Sequence, residues 1–196
     1  MRTNVLVVLA LLASSGCRHS ASGPMNLPMR WAASGEDMRI FSGAKAELLR
    51  KHAVAVVPFT DRREARGAVG ANVENGHHLD VNTDDDVGRF LSEQFAEILR
   101  ANTLNVAAVS GADRVIHGEV QRFFVTESNL YEGIVVLGIT VSDARGAALW
   151  HGTCEGQSKR FGRSFSADNY QEALSSATLE AIKDLSGQPG FLDAFK

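Results

Sequence analysis

The spacing of apolar residues changes along the chain and divides it into segments of different secondary structure. His52 to Phe59 is a compact Val-rich run, which predicts a central strand buried on both faces. From about residue 84 to 101 the apolar positions recur every three or four residues, which predicts an amphipathic helix in the core. Its apolar face comprises Val87, Phe90, Leu91, Phe95, Ile98 and Leu99. Thr83 and the acids at 84 to 86 predict the N-cap and first turn, where the helix dipole favours negative charge.

From residue 104 the chain is rich in Val, Ile, Thr and aromatic residues separated by turn residues, which predicts four consecutive strands. They cover residues 104–109, 114–126, 133–142 and 147–161. In the third strand Val135, Leu137, Ile139 and Val141 alternate onto one face, which predicts that this face is buried. Asp143 to Gly146 is rich in turn residues and predicts a hairpin, so the last two strands should be antiparallel neighbours.

A second long helix is predicted after residue 168. Asp168 and Gln171 fit a capping box, in which the Asp side chain accepts from the backbone and the Gln side chain reaches back. The apolar stripe that follows is rich in alanine, which permits close approach to a sheet: Tyr170, Ala173, Leu174, Ala177, Ala181, Ile182 and Leu185. Gly187 ends this helix, and Pro189 starts a short terminal helix.

The element order β-α-β-β-β-β-α, followed by a short C-terminal helix, predicts an α+β fold. We expect a mostly antiparallel sheet with the two long helices packed on one face. The other face, or an edge of the sheet, is then free for strand addition or for a partner. Residues 61 to 80 are predicted to be a long connection that is functional or disordered, because loops of this length are uncommon inside compact domains.

The first residues have the pattern of an export signal that ends in a lipidation site. Arg2 precedes the apolar run Val5 to Ala13, which is about nine residues long and therefore too short for a bilayer that needs roughly 20. The small residues 14 to 16 lead to Cys17 and resemble a lipobox, in which a peptidase cuts before a diacylglyceryl cysteine. A lipobox usually has Leu where this chain has Ser14, and ordinary secretion is the alternative.

These features divide the chain into a signal peptide at residues 1–16, a lipidated Cys17 with a flexible tether over 17–43, and a single domain over 44–196. Each buried methylene group of an acyl chain such as palmitate contributes about 0.8 kcal/mol to membrane binding. Two or three such chains anchor a protein almost permanently, so we predict the membrane as one partner. In enterobacterial lipoproteins an Asp directly after the lipidated cysteine favours retention in the inner membrane. This chain has Arg18 at that position. We therefore predict an outer-membrane lipoprotein that faces the periplasm, with the inner membrane as the alternative.

Composition argues against nucleic acid as a partner. The formal net charge is −3 at pH 7, the isoelectric point is about 6.1, and the chain has no dense block of Lys and Arg. The sequence has two cysteines, and lipidation of Cys17 leaves Cys154 without an intrachain partner. We predict that Cys154 is a small buried strand residue; a reactive thiol and an intermolecular disulfide are the alternatives.

A concentrated charged cluster lies beside the end of the first predicted strand. It consists of Asp61, Arg62, Arg63 and Arg66. One interpretation is a solvated loop. The other is a docking site, in which the guanidinium groups fork onto the carboxylates of an envelope protein or onto a lipid phosphate. These four residues are the predicted partner-binding site.

The candidate metal and catalytic sites are incomplete. Residues 80 to 84 match the first ligand positions of an EF-hand loop, but the Gly and Glu required later are missing, so helix capping is the better interpretation. His77 and His78 have Asp80 nearby but no third ligand at a fixed spacing. His151 and Cys154 lie three residues apart in a strand, which puts them on opposite faces. We therefore predict no metal, no cofactor and no enzymatic activity.

From about Ala53 to the C-terminus the chain resembles the YajG-type envelope lipoproteins. The resemblance rests on the Val-rich strand with the Asp61-Arg62-Arg63 loop, on the segment Asp86 to Phe95, and on the stretches Phe165 to Leu174 and Phe191 to Phe195. It implies a small α+β lipoprotein domain without a known catalytic site. The resemblance therefore supplies no site residues.

Two functions agree with these features. The first is a non-catalytic, lipid-anchored protein-binding or scaffolding domain that faces the periplasm. The second is an auxiliary lipoprotein of a transport system that binds a lipid or another hydrophobic ligand. A filled core between sheet and helices would favour the first function, and a continuous apolar cavity there would favour the second. Titratable groups that converge in a pocket would favour a third function, that of a hydrolase or metal-dependent enzyme.

Overall fold

The computed structural model describes residues 23–162 and 164–196, except for the side chain of Asn75, so the predicted signal peptide and Cys17 lie outside the described residues. The described chain forms one nine-stranded sheet and three α-helices. The strands are β1 (Met25–Asn26), β2 (Ala53–Val56), β3 (Thr60–Asp61), β4 (Ala68–Asn72), β5 (Leu79–Asn82), β6 (Asn105–Val106), β7 (Arg114–Glu127), β8 (Leu130–Asp143) and β9 (Ala148–Phe161). The helices are α1 (Gly43–Leu49), α2 (Val87–Ala101) and α3 (Ala167–Gly187), with short 3-10 helices at Glu74–Gly76, Val109–Gly111 and Leu192–Phe195. No helix in these ranges is both long enough and apolar enough to cross a membrane.

Strand β7 organises the sheet because other strands pair along both of its edges. One edge is antiparallel to β8 over nearly its whole length, with a bulge between Val120 and Arg122. The other edge is parallel to β2, β3 and β4 in turn as the chain advances. Strand β9 is antiparallel to β8 and joined to it through the turn predicted at Asp143 to Gly146. The long ladders are antiparallel, and the predicted hairpin is confirmed.

Both long helices pack on one face of the sheet, which we call the closed face. Helix α2 contacts β2, β6 and β7, and α3 contacts β8 and β9. The side chains between them are buried, including the alternating set of β8: Val135, Leu137, Ile139 and Val141 are at most 1% exposed. The predicted α+β fold and the predicted buried face are confirmed.

Helix α3 lies so close to β8 and β9 that the strands need glycine at the contacts. A Cβ atom at Gly156 would lie 2.0 Å from the Ala177 carbonyl oxygen and 2.1 Å from the Ala181 nitrogen. A Cβ at Gly133 would lie 2.8 Å from the Ala173 oxygen. These neighbours are backbone atoms that cannot rotate away, so the helix backbone rests directly on the sheet.

The segment predicted as a long connection over residues 61 to 80 is instead part of the sheet. Strands β4 and β5 form an antiparallel pair, and β4 also pairs with β7. Val69 and Val81 are fully buried in the core. The prediction was wrong because these strands are four or five residues long and one contains glycine, which leaves too short a run for periodicity to be visible.

The flexible tether predicted over residues 17–43 is also wrong for residues 23 to 42. Leu27 is fully buried, and β1 pairs with β5. The Ala32 N–H donates to Ser175 Oγ at 3.0 Å, and the Phe41 N–H donates to Asn102 Oδ1 at 2.8 Å. The backbone of this strap, residues 23–42, is thus bound by a side chain of α3 and by the residue that caps the end of α2. Such pairing leaves no local periodicity in sequence.

The predicted capping box of α3 does not form. The N-cap is Ser166, without a side-chain cap. Asp168 and Gln171 instead hold the strap: Arg30 Nη2 donates to Asp168 Oδ1 at 2.6 Å, and Arg30 Nε donates to Gln171 Oε1 at 2.9 Å. For α2 the N-cap is Asp86, which accepts from the Arg89 N–H at 2.9 Å, rather than Thr83.

The contact at Gly156 makes a prediction about stability. Gly156→Ala should lower the free energy of unfolding by about 3 kcal/mol or more, because the added methyl group meets helix backbone and forces α3 off the sheet. Gly111→Ala is the control, since a Cβ there has no atom within 4 Å. Urea unfolding followed by circular dichroism measures both. Equal stabilities of the two variants would contradict the close approach.

Candidate functional site

The structure separates the four residues predicted as a docking site. Asp61 and Arg63 form a buried bidentate pair, with side chains 14% and 7% exposed. Arg63 Nε donates to Asp61 Oδ1 at 3.0 Å, and Arg63 Nη2 donates to Asp61 Oδ2 at 2.7 Å. Arg63 Nη1 also donates to the Ala68 carbonyl oxygen at 2.8 Å. These two side chains fasten the connection between β3 and β4 and are not available to a partner.

The charge of Asp61 is stabilised within this pair. Burial alone would raise the pKa of Asp61, but the hydrogen bonds from the Arg63 side chain and backbone, together with the positive charges of Arg63 and Arg66, lower the pKa below its ordinary value of 3.8. Arg62 lies at the surface, where its Nε is 3.3 Å from Glu119 Oε1. Arg66 is exposed as well. Two of the four predicted residues, Arg62 and Arg66, thus remain accessible.

The face of β7, β8 and β9 that points away from the helices is accessible, and we call it the open face. Cross-strand register arranges its side chains in rows: His117, Thr140 and His151; Arg122, Val136 and Glu155; Phe124, Ile134 and Gln157. The apolar members of these rows are half-buried, whereas His117, His151 and Glu155 are exposed. The open face therefore has an apolar middle with polar surroundings.

Two shallow cavities share Gln121, at the bulge of β7: one lies on the open face, and the other lies at the edge of β7 beside the connection between β3 and β4. One has a volume of about 330 Å³ and is lined by residues that include His117, Glu119, Thr140 and His151. The other has a volume of about 570 Å³ and is lined by residues that include Arg62, Arg122 and Phe124. Both open to solvent, so they fit protruding side chains of a partner better than an enclosed small molecule.

Metal-ligating residues do not converge in the part of the chain that the structure describes: it contains no group of three His, Cys, Asp or Glu placed to hold an ion. His78 Nε2 lies 2.9 Å from Asp80 Oδ1, on the exposed surface. His151 is exposed on the open face, whereas Cys154 is buried on the closed face. The opposite placement predicted for His151 and Cys154 is confirmed.

Cys154 is a fully buried thiol on β9, as predicted. Burial and the nearby charge of Asp184 raise the pKa of Cys154 to about 12. Its sulfur donates to the Leu137 carbonyl oxygen at 3.7 Å. A thiol with such a pKa carries almost no thiolate near neutral pH and is therefore a poor nucleophile.

Sequence reasoning missed a buried carboxylate at the end of β7. Glu127 is fully buried; its Oε2 accepts from the Tyr170 hydroxyl at 2.9 Å and its Oε1 from the Phe165 N–H at 3.0 Å. Burial and the Glu127 charge raise the pKa of Tyr170, so its hydroxyl stays protonated as a donor. Glu127 follows Phe123 and Val125 at a spacing of two, and this parity is the sequence signal that places it on the closed face.

The Asp61 and Arg63 pair predicts a position-specific loss of stability. Arg63→Ala should lower the free energy of unfolding by about 3 kcal/mol, because it leaves the Asp61 carboxylate unpaired in a largely buried position. Arg62→Ala is the matched control and should change stability by less than about 1 kcal/mol, since its ion pair is exposed.

The pair also has a pH dependence. Because the pKa of Asp61 is lowered on folding, the stability it contributes is present above the ordinary value of 3.8 and is lost as the pH falls through the lower folded pKa. The difference between wild type and Arg63→Ala should therefore shrink in acid. Urea titrations at several pH values measure it, and a difference that is the same at every pH would argue against the ion pair.

No family model matches the chain, and no curated protein does, so the YajG-type resemblance stays a prediction. Among solved structures, the chain is similar to XCC0632 of Xanthomonas campestris, described as DUF330, at 14% identity and a TM-score of 0.47, over 70% of this chain and 86% of that chain. A PelC dodecamer from Paraburkholderia phytofirmans aligns at 20% identity and a TM-score of 0.41, over 67% and 86%. Lipoprotein GNA1162 from Neisseria meningitidis aligns at 15% identity and a TM-score of 0.28, over 55% and 83%. Similarities at this level identify no family for the chain.

Proposed function

We propose that the chain is a lipid-anchored protein of the bacterial envelope that binds a protein partner through the open face and catalyses no reaction. The observation that carries the proposal is the open face itself. It is built on three adjoining strands of 14 residues each, and both long helices pack on the opposite side. A broad sheet face on which no helix of the described residues packs is a surface that a partner protein can fit.

The distribution of polarity on the open face supports a protein partner. Val136 lies between Arg122 and Glu155, and Ile134 lies between Phe124 and Gln157. An apolar middle bordered by charges of both signs is typical of a protein interface, whereas a nucleic acid would require an excess of positive charge. The accessible Arg62 lies beside this face and extends its polar border.

The packing of the closed face supports a binding domain over a carrier of hydrophobic ligands. The rings of Tyr131 and Tyr170 are in edge contact, with centroids 5.1 Å apart, and both side chains are fully buried. At Gly156 the backbone of α3 lies against β9, so no width remains between them for an acyl chain. This filled arrangement is the one expected of a scaffold.

The anchor and the location rest on the sequence. Cys17 follows an export signal and a short run of small residues, which supports lipidation, and Arg18 after it favours the periplasmic side of the outer membrane over the inner membrane. Such an anchor would hold the open face in the periplasm, where an envelope protein could reach it.

Lipidation at Cys17 is tested by metabolic labelling with an alkyne fatty acid. Cys17→Ser should abolish the label and move the protein from the membrane fraction to the periplasmic fraction, because no thiol remains at the lipobox position to accept diacylglycerol. Cys154→Ala is the control: it removes the other cysteine of the chain and should leave both label and location unchanged. Persistence of the label in Cys17→Ser would refute the anchor.

Partner binding is tested by photocrosslinking in cells. A benzoylphenylalanine at Thr153, on the open face, should give an adduct of discrete mass, and one at Glu97, on the exposed side of α2, should not. Val136→Asp should lower the yield at position 153 about tenfold, because burying an unpaired carboxylate in an interface costs more than the ~1.4 kcal/mol that a tenfold change represents. Equal adducts at 153 and 97, or a yield unaffected by Val136→Asp, would count against the open face as the binding surface.

A further inference from the structure

The N-terminal chain joins the domain at one end of the sheet. A continuous cross-strand row marks this end: Leu79 of β5, Asn72 of β4, Glu127 of β7, Tyr131 of β8 and Arg160 of β9. Met25 pairs with Val81, two residues inside this row, and β1 runs parallel to β5. Gly23 comes two residues before Met25 and is therefore within about 7 Å of it, near the row. We call this the entry end.

The entry end exposes apolar side chains. Phe161, the last residue of β9, is 83% exposed and pairs across the strands with Leu130. Val73 is 40% exposed, and its N–H donates to the Glu127 carbonyl oxygen at 2.8 Å. Lys159 precedes Phe161 by two residues, so both lie at the entry end of the open face, where Lys159 Nζ is 2.9 Å from Glu132 Oε1. An exposed aromatic ring beside a lysine is the combination found where proteins touch the interfacial region of a bilayer.

The short distance along the chain between Cys17 and Gly23 limits where the domain can go. Six residue steps span at most about 20 to 22 Å when fully extended. Strand β7 has 14 residues, so its other end lies about 43 Å from the entry end. A lipid attached to Cys17 therefore keeps the entry end near the bilayer and leaves the opposite end beyond its reach while the strands stand away from the membrane.

The entry end is held in a fixed shape by buried hydrogen bonds. Glu127 links β7 to Tyr170 of α3, and the Ser166 N–H donates to the Tyr131 hydroxyl at 3.2 Å. The end of the sheet and the start of α3 therefore move as one unit, so an apolar side chain at this end is presented without further ordering.

We propose that the entry end docks on the lipid bilayer, with Phe161 inserted among the headgroups and Val73, three strands away at the same end, also facing them, so that the strands stand away from the membrane and the rest of the open face projects into the periplasm. This orientation rests on the lipid anchor of the proposed function. It goes beyond that function by assigning the surface that meets the lipid and the direction in which the partner-binding face points.

The orientation is tested with a fluorophore attached to an introduced cysteine in the full-length lipoprotein. The native thiols do not interfere, because Cys17 carries the lipid and Cys154 is fully buried. Phe161→Cys reports on the entry end. Leu149→Cys, at an exposed apolar position of the opposite end, is the matched control, being 44% exposed in the wild type. Both labelled proteins are reconstituted into vesicles of phosphatidylethanolamine and phosphatidylglycerol that contain a lipid with a nitroxide on its acyl chain.

Quenching should be at least about twofold stronger at position 161 than at position 149, because an interfacial side chain lies ~5–10 Å into the headgroup boundary, within reach of the nitroxide. Equal quenching at the two positions shows a domain lying flat and overturns the proposal, as does stronger quenching at 149 or none at either. Flotation of the wild-type protein with the same vesicles separates the two hypotheses. A protein that does not float refutes the anchor itself, whereas one that floats with position 161 unquenched refutes the orientation alone.

Discussion

The direct seating of α3 on β8 and β9 is the constraint on which the rest of the fold depends. At Gly156 and Gly133 the helix backbone meets the strand backbone with no side chain between them. This spacing requires the small residues of the helix stripe, among them Ala173, Ala177 and Ala181. It also commits one face of the long strands to the helices. Within residues 23–162 and 164–196, no long helix packs on the opposite face of the same strands.

Strand β7 is held at two points in its second half by buried charged side chains, and this matters for the proposed function. Near its middle, Arg63 donates to the Phe123 carbonyl oxygen at 3.4 Å and so ties the connection after β3 to β7. At its end, Glu127 joins β7 to α3. Two buried charged groups thus stabilise the half of the sheet that we place next to the membrane. Removing the partner of either group would lower the free energy of unfolding, because a buried charge without a partner is costly.

The long elements were predictable from the sequence and the short ones were not. Helices α2 and α3 and strands β7 to β9 bury one side over many residues, so each carries its own periodicity. The β4 and β5 pair is stabilised by β7, and the strap is stabilised by Ser175 and Asn102. These partners are distant in sequence, so neither segment has such a signal. The same cause explains the capping box: Asp168 and Gln171 have the right spacing, but Arg30 binds both of them. For the candidate site, the charged cluster was found, yet the sequence did not show that Asp61 and Arg63 would bind each other and leave Arg62 and Arg66 at the surface.

The outer edge of β9 has a consequence for a protein concentrated on a membrane surface. Within the described ranges β9 pairs with β8 alone, which leaves the backbone groups of a 14-residue edge as a template for another copy's strand. Near the middle of that edge the Glu155 N–H donates to Asp184 Oδ2 of α3 at 3.2 Å. A second strand running along β9 would have to displace this carboxylate and pass the helix that carries it. Asp184 thus hinders edge-to-edge pairing of β9 between copies of the chain. Losing it should increase such pairing most when anchored copies are crowded on a membrane surface.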